Sequence, residues 1–404
     1  MKRGYLAEYF LGVAAKTLSA VETDMSRSHQ HEFNGAGALK RILGTGRQTF
    51  YARFLYLNDE DDEPVKDTGF LTWYDAREKH PARSEYRLYF QTNGVSDCSA
   101  EGDVVFIGLT QDQTVTVIVA EANSRISEQL AWLFGLDVSA AFSVRDNLDD
   151  EHDRLNYVSR TILEHIGIHV EDREENYLDD MLARFGNQFP TTEEFSAYAR
   201  DTLAGDICAL DAPDLVLMKW VEREERLFRT FERHLVAAQI AAGFGNDVDQ
   251  FFQFALSALN RRKSRAGRSL ENHVEQLFIA RHIQYERNKT TEHKSKPDFI
   301  FPSIRAYHDV GFDTRKLTML GVKSTCKDRW RQVLSEADRI AEKHLLTLEA
   351  GISTSQLDEM RSRRLQLVIP LEIQATYPES QQENLMSVSS FIEMLEFRQR
   401  ACNF

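Results

Sequence analysis

The sequence predicts a multi-domain chain: a β-rich N-terminal domain of barrel or sandwich type over residues 1–136, a helical connector over 137–186, and a C-terminal α/β domain with a mixed sheet over 187–404. Three observations predict it. Short β-branched and aromatic runs, each bounded by Asp, Asn, Gly or Pro, crowd the first third, and strands at that spacing build barrels or sandwiches. An acidic, helix-leaning stretch with almost no β signal follows. From residue 187 onward helical periodicities interleave with short apolar runs, an order that suits a sheet flanked by helices. At 404 residues the chain exceeds one ordinary domain. Its 42% hydrophobic and 10% aromatic content can bury ordinary cores, which argues against disorder.

In order, strands are expected at Thr49–Leu57, Gly69–Tyr74, Tyr86–Thr92, Val104–Leu109 and Val115–Ala120, closed by a helix at Ser127–Phe134. The connector carries no readable function. Thr191 and Thr192 before Glu193 and Glu194 predict a capped helix over Thr191–Ala199. Asp214–Ala242 reads as a long helix, with Leu217, Trp220, Val221, Leu227, Phe228 and Phe231 at three-to-four spacing for core packing or a subunit contact. After it come a helix at Leu270–Arg281, strands around Lys296–Phe301 and at Leu317–Ser324, a helix from Asp328 to about Leu348, and a buried strand at Leu365–Pro370.

The net charge is -14 and the pI near 5.4, but its distribution matters more than its sum, because a phosphate backbone feels only the surface that faces it. Acid gathers at Asn58–Glu63, Asp146–Asp153 and Glu171–Glu175. Base gathers at Asn260–Arg268. The four cysteines (Cys98, Cys208, Cys326, Cys402) are far apart without a CxxC pair, which favours reduced thiols and a cytoplasmic protein. Met1–Lys16 has an apolar patch but no signal-peptide pattern. No run approaches the length of about eighteen apolar residues that a membrane span needs.

Chemistry concentrates late in the chain. Asp298 opens the apolar Phe299–Phe301 run, which puts a carboxylate at a strand start. Lys323 lies in the next strand, on one face with Gly321 while Leu320 and Val322 take the other. Glu336 falls at the edge of the stripe Trp330, Val333, Leu334, Ala337, Ile340 on the expected helix, from where it can reach back toward a strand end. Two carboxylates and a lysine suit phosphodiester hydrolysis. The oxygens of Asp298 and Glu336 are hard ligands matched to Mg²⁺, the metal can orient water and offset charge at phosphorus, and Lys323 can stabilise that charge. For each residue alone the plainer reading is a turn cap for Asp298 and solvated side chains for the other two.

Together with their neighbours these residues resemble the EcoRII-type restriction endonucleases. The similar stretches are Asn260–Glu271 (NRRKSRAGRSLE), Lys296–Asp309 (KPDFIFPSIRAYHD), Val322–Arg331 (VKSTCKDRWR) with Ala337-Asp338, and FGNDVDQF from Phe244, within about residues 187 to 400. The resemblance implies a type II restriction endonuclease, a Mg²⁺-dependent homodimer that cuts double-stranded DNA in phage defence. It implies a PD-(D/E)xK restriction-endonuclease-like fold in a variant form, where Gly321 occupies the usual acidic place and Glu336 supplies the carboxylate. By the same likeness Tyr307 lies near the active site and Glu271 holds a second metal directly or through water. Lys327, Asp328 and Arg329 look like a base-reading element. Lys and Arg can donate to guanine and Asp can accept from cytosine, which predicts a site containing CC and GG; the alternative is a helix N-terminus capped by Asp328.

The basic run Arg261, Arg262, Lys263, Arg265 and Arg268 fits phosphate clamping or, equally, a solvated loop turning at Gly267 into a helix capped by Ser269. The N-terminal part resembles the family's effector-DNA domain, a β pseudobarrel, through Lys16–Ala20, His29-Gln30 and the Arg83, Glu85, Arg87 alternation. On a strand these three would share one face, so His29, Arg83, Glu85 and Arg87 are candidate DNA contacts; a salt-bridge ladder is the alternative. DNA bound there would regulate cleavage, and a cognate DNA methyltransferase is the expected partner. Two rivals remain: a nuclease acting on modified or damaged DNA, and a non-catalytic DNA-binding regulator on the same fold.

Overall fold

The computed structural model describes residues 4–23, 31–60, 63–80, 82–170, 177–326 and 329–400. The chain forms two compact units, residues 1–170 with 351–353, and residues 171–350 with 354–404. Among the described residues no helix is long and apolar enough to cross a membrane.

The first unit is built on one eight-stranded sheet. Its strands are β1 (Phe10–Thr17), β2 (Glu32–Phe33), β3 (Gln48–Leu57), β4 (Val65–Asp75), β5 (Tyr86–Phe90), β6 (Val104–Thr110), β7 (Val115–Ala120) and β8 (Ser143–Arg145), in the order β2-β5-β4-β3-β7-β6-β1-β8. Neighbours are antiparallel except β3 and β7, which run parallel. Five strands were expected from the sequence and all five are present, β4 extending four residues earlier than Gly69. Strand β1 replaces what read only as an apolar patch. Strands β6 and β7 are buried on nearly every residue because the Arg125–Phe134 helix covers their second face. Phe134 of that helix meets Phe10 and Phe106 at ring separations of 5.4 and 6.1 Å. Strand β3 alternates instead, leaving its odd-numbered residues Thr49, Tyr51 and Arg53 toward solvent.

The second unit opens with helices. Thr192–Asp201 starts as its sequence predicts: Thr191 and Glu194 form a reciprocal capping box. Two long helices follow, Pro213–Ala242 and Val248–Ala280, of 30 and 33 residues. The second of these corrects an expectation. The basic run and Ser269 are not a loop and a cap but the interior of one continuous helix, because Arg262 and Arg265 find acidic partners on the neighbouring helix (Glu232, Glu224 and Glu225).

The sheet of this unit holds β9 (Glu286–Arg287), β10 (Phe299–Phe301), β11 (Thr318–Lys323), β12 (Lys343–Thr347) and β13 (Leu365–Val368), in the order β13-β12-β11-β10-β9. The β9–β10–β11 pairs are antiparallel and β11–β12–β13 parallel, a mixed sheet as expected. Phe278 of the long helix packs edge-on against Phe299 and Phe301 at 5.3 and 5.2 Å, which fixes the helix to the sheet. The expected helix from Asp328 to about Leu348 is corrected too. Among the described residues of that span only Trp330–Leu334 is α-helical, and Lys343–Thr347 is strand β12. Strand pairing on both sides outweighs the weak helical preference of that short run.

Candidate active site

Strands β10 and β11 pair with Phe299 opposite Leu320, so Asp298, just before β10, comes alongside the end of β11. Its Oδ2 accepts the Val322 backbone N–H at 2.6 Å and the Lys323 ammonium at 2.7 Å. Asp298 is buried, while the Lys323 side chain stays partly open. Gly321 sits between them in register for a structural reason: a Cβ there would stand 2.9 Å from Cγ2 of Val333. The short helix that precedes Glu336 therefore packs where a side chain at 321 would project.

Glu336 lies just past that helix, its N–H bonded to Val333 O at 3.2 Å. The following Ala337 has φ 51°, a conformation that costs a non-glycine residue energy unless its surroundings hold it. Lys343 does so: its buried ammonium donates to Ala337 O at 3.2 Å and Ile340 O at 2.9 Å. The Glu336 carboxyl is half-buried and its Oε2 has no hydrogen-bond partner. Burial first, then the charge of Asp298, push its pKa up to about 7 against the pull of Lys323 and Lys343. Glu271, on the long helix, is raised for the same two reasons although Arg287 donates to it at 2.8 Å. Asp298, Lys323, Glu336 and Glu271 are thus one electrostatic group in which two carboxylates are short of positive charge.

Tyr307 is buried, and its hydroxyl bonds Glu292 while accepting Arg339 N–H at 3.3 Å. It anchors the segment just after Glu336. Sequence reasoning missed Arg287, Lys343 and Glu292, which hold Glu271, the Ala337 turn and Tyr307. The expected helix concealed Lys343, while Arg287 and Glu292 lie in the short strand and turn before β10, which carried no sequence signal.

Among the described residues no group of three or more His, Cys, Asp or Glu side chains is gathered closely enough to hold a metal ion. The donor chemistry nevertheless fits a hard cation: an orphaned carboxylate oxygen on Glu336, two carboxyls with raised pKa, and oxygen donors only. Mg²⁺ needs no protein cage, since it is held by one or two carboxylates and keeps waters or substrate phosphates for the rest.

The other candidate residues divide. Lys327, Asp328 and His29 lie outside the described residues; Arg329 is exposed at the start of the Trp330–Leu334 helix. Arg262 and Lys263 are exposed, and Arg261 stacks on Phe189 at 4.4 Å. Arg265 is buried, bonded to Glu224 and Glu225 and stacked on Phe228 at 4.0 Å, so its guanidinium is committed inside the helix pair. In the first unit Arg83 and Glu85 precede β5 rather than lying in it, and Arg83 is exposed. Arg87 donates to Glu32 and to Glu85, both at 2.9 Å, and Arg77 holds the other oxygen of Glu85. This is the ladder arrangement.

Residues 228–392 match the family model described as EcoRII C terminal. Among curated proteins the chain is 44% identical over 209 residues to the type II restriction enzyme EcoRII of Escherichia coli, a match covering 52% of this chain and 51% of that protein. The chain therefore covers about half the length of the curated relative it matches. Among solved structures, metal-depleted Ecl18kI with uncleaved, modified DNA shares 18% identity at a TM-score of 0.46, over 58% of this chain and 87% of that one. The PspGI–substrate DNA complex shares 18% at 0.41, over 52% and 94%. Those two likenesses are distant, and the family match is not. Residues 228–392 are thus similar to the EcoRII C-terminal family.

Proposed function

We propose that the chain is an EcoRII-type restriction endonuclease that hydrolyses phosphodiester bonds of double-stranded DNA with Mg²⁺ at a short site containing CC and GG. One observation carries the reading: in the stretch that matches the family, Lys323 is bonded to a buried Asp298 beside the unpartnered oxygen of Glu336. Asp298 and Glu336 would hold the metal, with Glu271 behind them. The bound metal would supply an activated water and offset charge on phosphorus. Lys323, held by Asp298, would set its ammonium against the negative charge that grows as the phosphate is attacked. Glu336 must lose its proton to serve, and a cation at its orphaned oxygen favours that loss.

Lys327, Asp328 and Arg329 would read base edges, close enough in sequence to Lys323 to couple reading with cutting. Arg261, Arg262 and Lys263 would meet phosphates, which supply affinity and little sequence information. Two copies would each cut one strand of a near-symmetric site. In the first unit His29, Arg83, Glu85 and Arg87 would contact a second DNA segment and regulate cleavage; equal cutting of one-site and two-site plasmids would count against that. A cytoplasmic location beside a protective methyltransferase follows from the activity.

The test is a cleavage assay on unmethylated plasmid and phage DNA with Mg²⁺ or EDTA. Discrete Mg²⁺-dependent fragments whose ends read CC/GG support the reading. Intact DNA on every substrate, or cleavage only of modified DNA, overturns it.

A further inference from the structure

Strand β11 ends at Lys323, and the base-reading candidates begin four residues later, at Lys327. The three residues between them, Ser324, Thr325 and Cys326, form neither helix nor strand. An irregular link of that kind has many backbone states open to it, whereas side chains that recognise a partner must be held within about 0.5 Å. The link is fixed at Cys326. That residue is buried, and its backbone N–H donates to Oε2 of Glu349 at 3.0 Å. A bond to a carboxylate is roughly twice as strong as one between neutral groups. The Cys326 carbonyl accepts the Arg329 N–H at 2.8 Å. Lys327 and Asp328 lie outside the described residues, and the residues on either side of them are bonded to each other.

Glu349 is itself held in place. It follows β12, whose Thr347 stands beside Lys323 in the parallel β11–β12 register. The Glu349 N–H donates to Oγ1 of Thr347 at 3.1 Å, and its carbonyl accepts the hydroxyl of Tyr377 at 2.8 Å. Tyr377 is buried. One carboxylate therefore ties the middle of the link to the strand that lies beside Lys323.

We infer that Glu349 is a positioning residue for sequence recognition: by holding Cys326 it sets the reach of Lys327, Asp328 and Arg329 from Lys323. The inference rests on the base-reading proposal above and deepens it. Glu349 acts through Cys326 and needs no contact with DNA. What it supplies is an acceptor oxygen at a fixed place, so the chemistry of the acceptor and the length of the side chain can be varied separately.

The test compares full-length wild type with Glu349→Ala, Glu349→Gln and Glu349→Asp. Cleavage rates are measured on a duplex carrying the site read from cleaved ends, and on the same duplex with one C·G pair changed. Glu349→Ala should lower the ratio of the two rates by about tenfold or more, and Glu349→Gln, whose amide oxygen still accepts the Cys326 N–H, should keep it. Glu349→Asp retains the charge but is one methylene too short, so its ratio should fall as well. Hydrogen exchange at the Cys326 amide, followed without DNA, should quicken about tenfold in the alanine and aspartate variants only. A merely structural role would slow cleavage of both duplexes alike and leave their ratio unchanged. Should Glu349→Ala fail to fold, Glu349→Asp carries the same test. A wild-type ratio in either variant, or equal loss in Glu349→Gln, overturns the inference and leaves the nuclease reading intact. A wild type that yields no cleaved ends, or cuts both duplexes alike, overturns the base-reading proposal and the inference with it.

Discussion

Around Arg87 in the first unit, positive and negative groups alternate: Glu32, Arg87, Glu85 and Arg77 follow one another at bonding distance. Around Asp298 in the second unit, Lys323 bonds Asp298 and Arg287 bonds Glu271, while the Glu336 carboxyl keeps a bare oxygen and a pKa pushed up to about 7. A balanced chain of partly exposed ion pairs stabilises its own surroundings slightly and calls for nothing further. Surplus negative charge held by packing is a standing cost, one that a bound cation or a proton removes. The difference separates charge that holds a strand pair from charge that waits for a ligand.

The largest effect expected from breaking the second pattern is on cleavage. Lys323→Ala should lower the rate on plasmid DNA by about 10²–10³-fold while gel-shift affinity in Ca²⁺ changes little; a variant that cuts at the wild-type rate would remove Lys323 from the chemistry. Next comes Arg265, which the structure takes out of the solvent-facing basic run. Arg265→Ala should cost about 3 kcal/mol, because the fully buried Glu224 loses a charge partner and is left with His273, while the half-buried Glu225 keeps only Arg229. Lys263→Ala should leave the urea midpoint unchanged, and equal effects from the two would contradict the burial of Arg265.

A smaller, pH-dependent effect sharpens the comparison. The folded pKa of Glu336 is raised from 4.5 to about 7, so the folded protein holds its proton more tightly than the unfolded chain. Stability from this group is full below pH 4.5 and declines as pH rises through 7, by about 1–2 kcal/mol after solvent screening. Glu128 in the first unit is raised to about 7 as well, by burial and then by Asp59, and adds a similar slope. Thermal melts in EDTA should show both. Glu336→Gln and Glu128→Gln should each remove one part, and Mg²⁺ should reverse only the part due to Glu336. Reversal of the Glu128 part instead would move the cation site to the other unit. The smallest effect is Arg87→Ala, expected to cost under about 1 kcal/mol in a chemical melt. A large loss of effector-DNA binding from that variant would show that the ladder also reads DNA.

Asp298 and Lys323 could be placed from the sequence because a carboxylate before one apolar run and a lysine at the end of the next come together whenever the runs pair as neighbouring strands. Glu336 could be nominated but not positioned. Its apolar neighbours Trp330, Val333, Ala337 and Ile340 are buried, as their spacing suggested, yet the helix stops at Leu334 and a turn completes the approach. Arg265 could not be told from Lys263 in sequence, since burial depends on Glu224 and Glu225 about forty residues away.

Sequence alone determined the local elements whose preference is strong and self-contained. These are the β-branched runs of β3, β6 and β7, the Thr191–Glu194 cap, the long amphipathic helix from Pro213, and the order of strands that carries Asp298 and Lys323. The tertiary structure decided what depends on distant partners. Residues 343–347 join β11 and β13 because pairing on both sides satisfies their backbone in a buried sheet. The basic run continues as helix because acidic residues of the preceding helix neutralise it. Glu336 comes within electrostatic reach of Asp298 on a turn in which buried Lys343 holds Ala337 left-handed. Propensity acts over a few residues, whereas charge neutralisation and strand pairing are settled only when the chain has closed on itself.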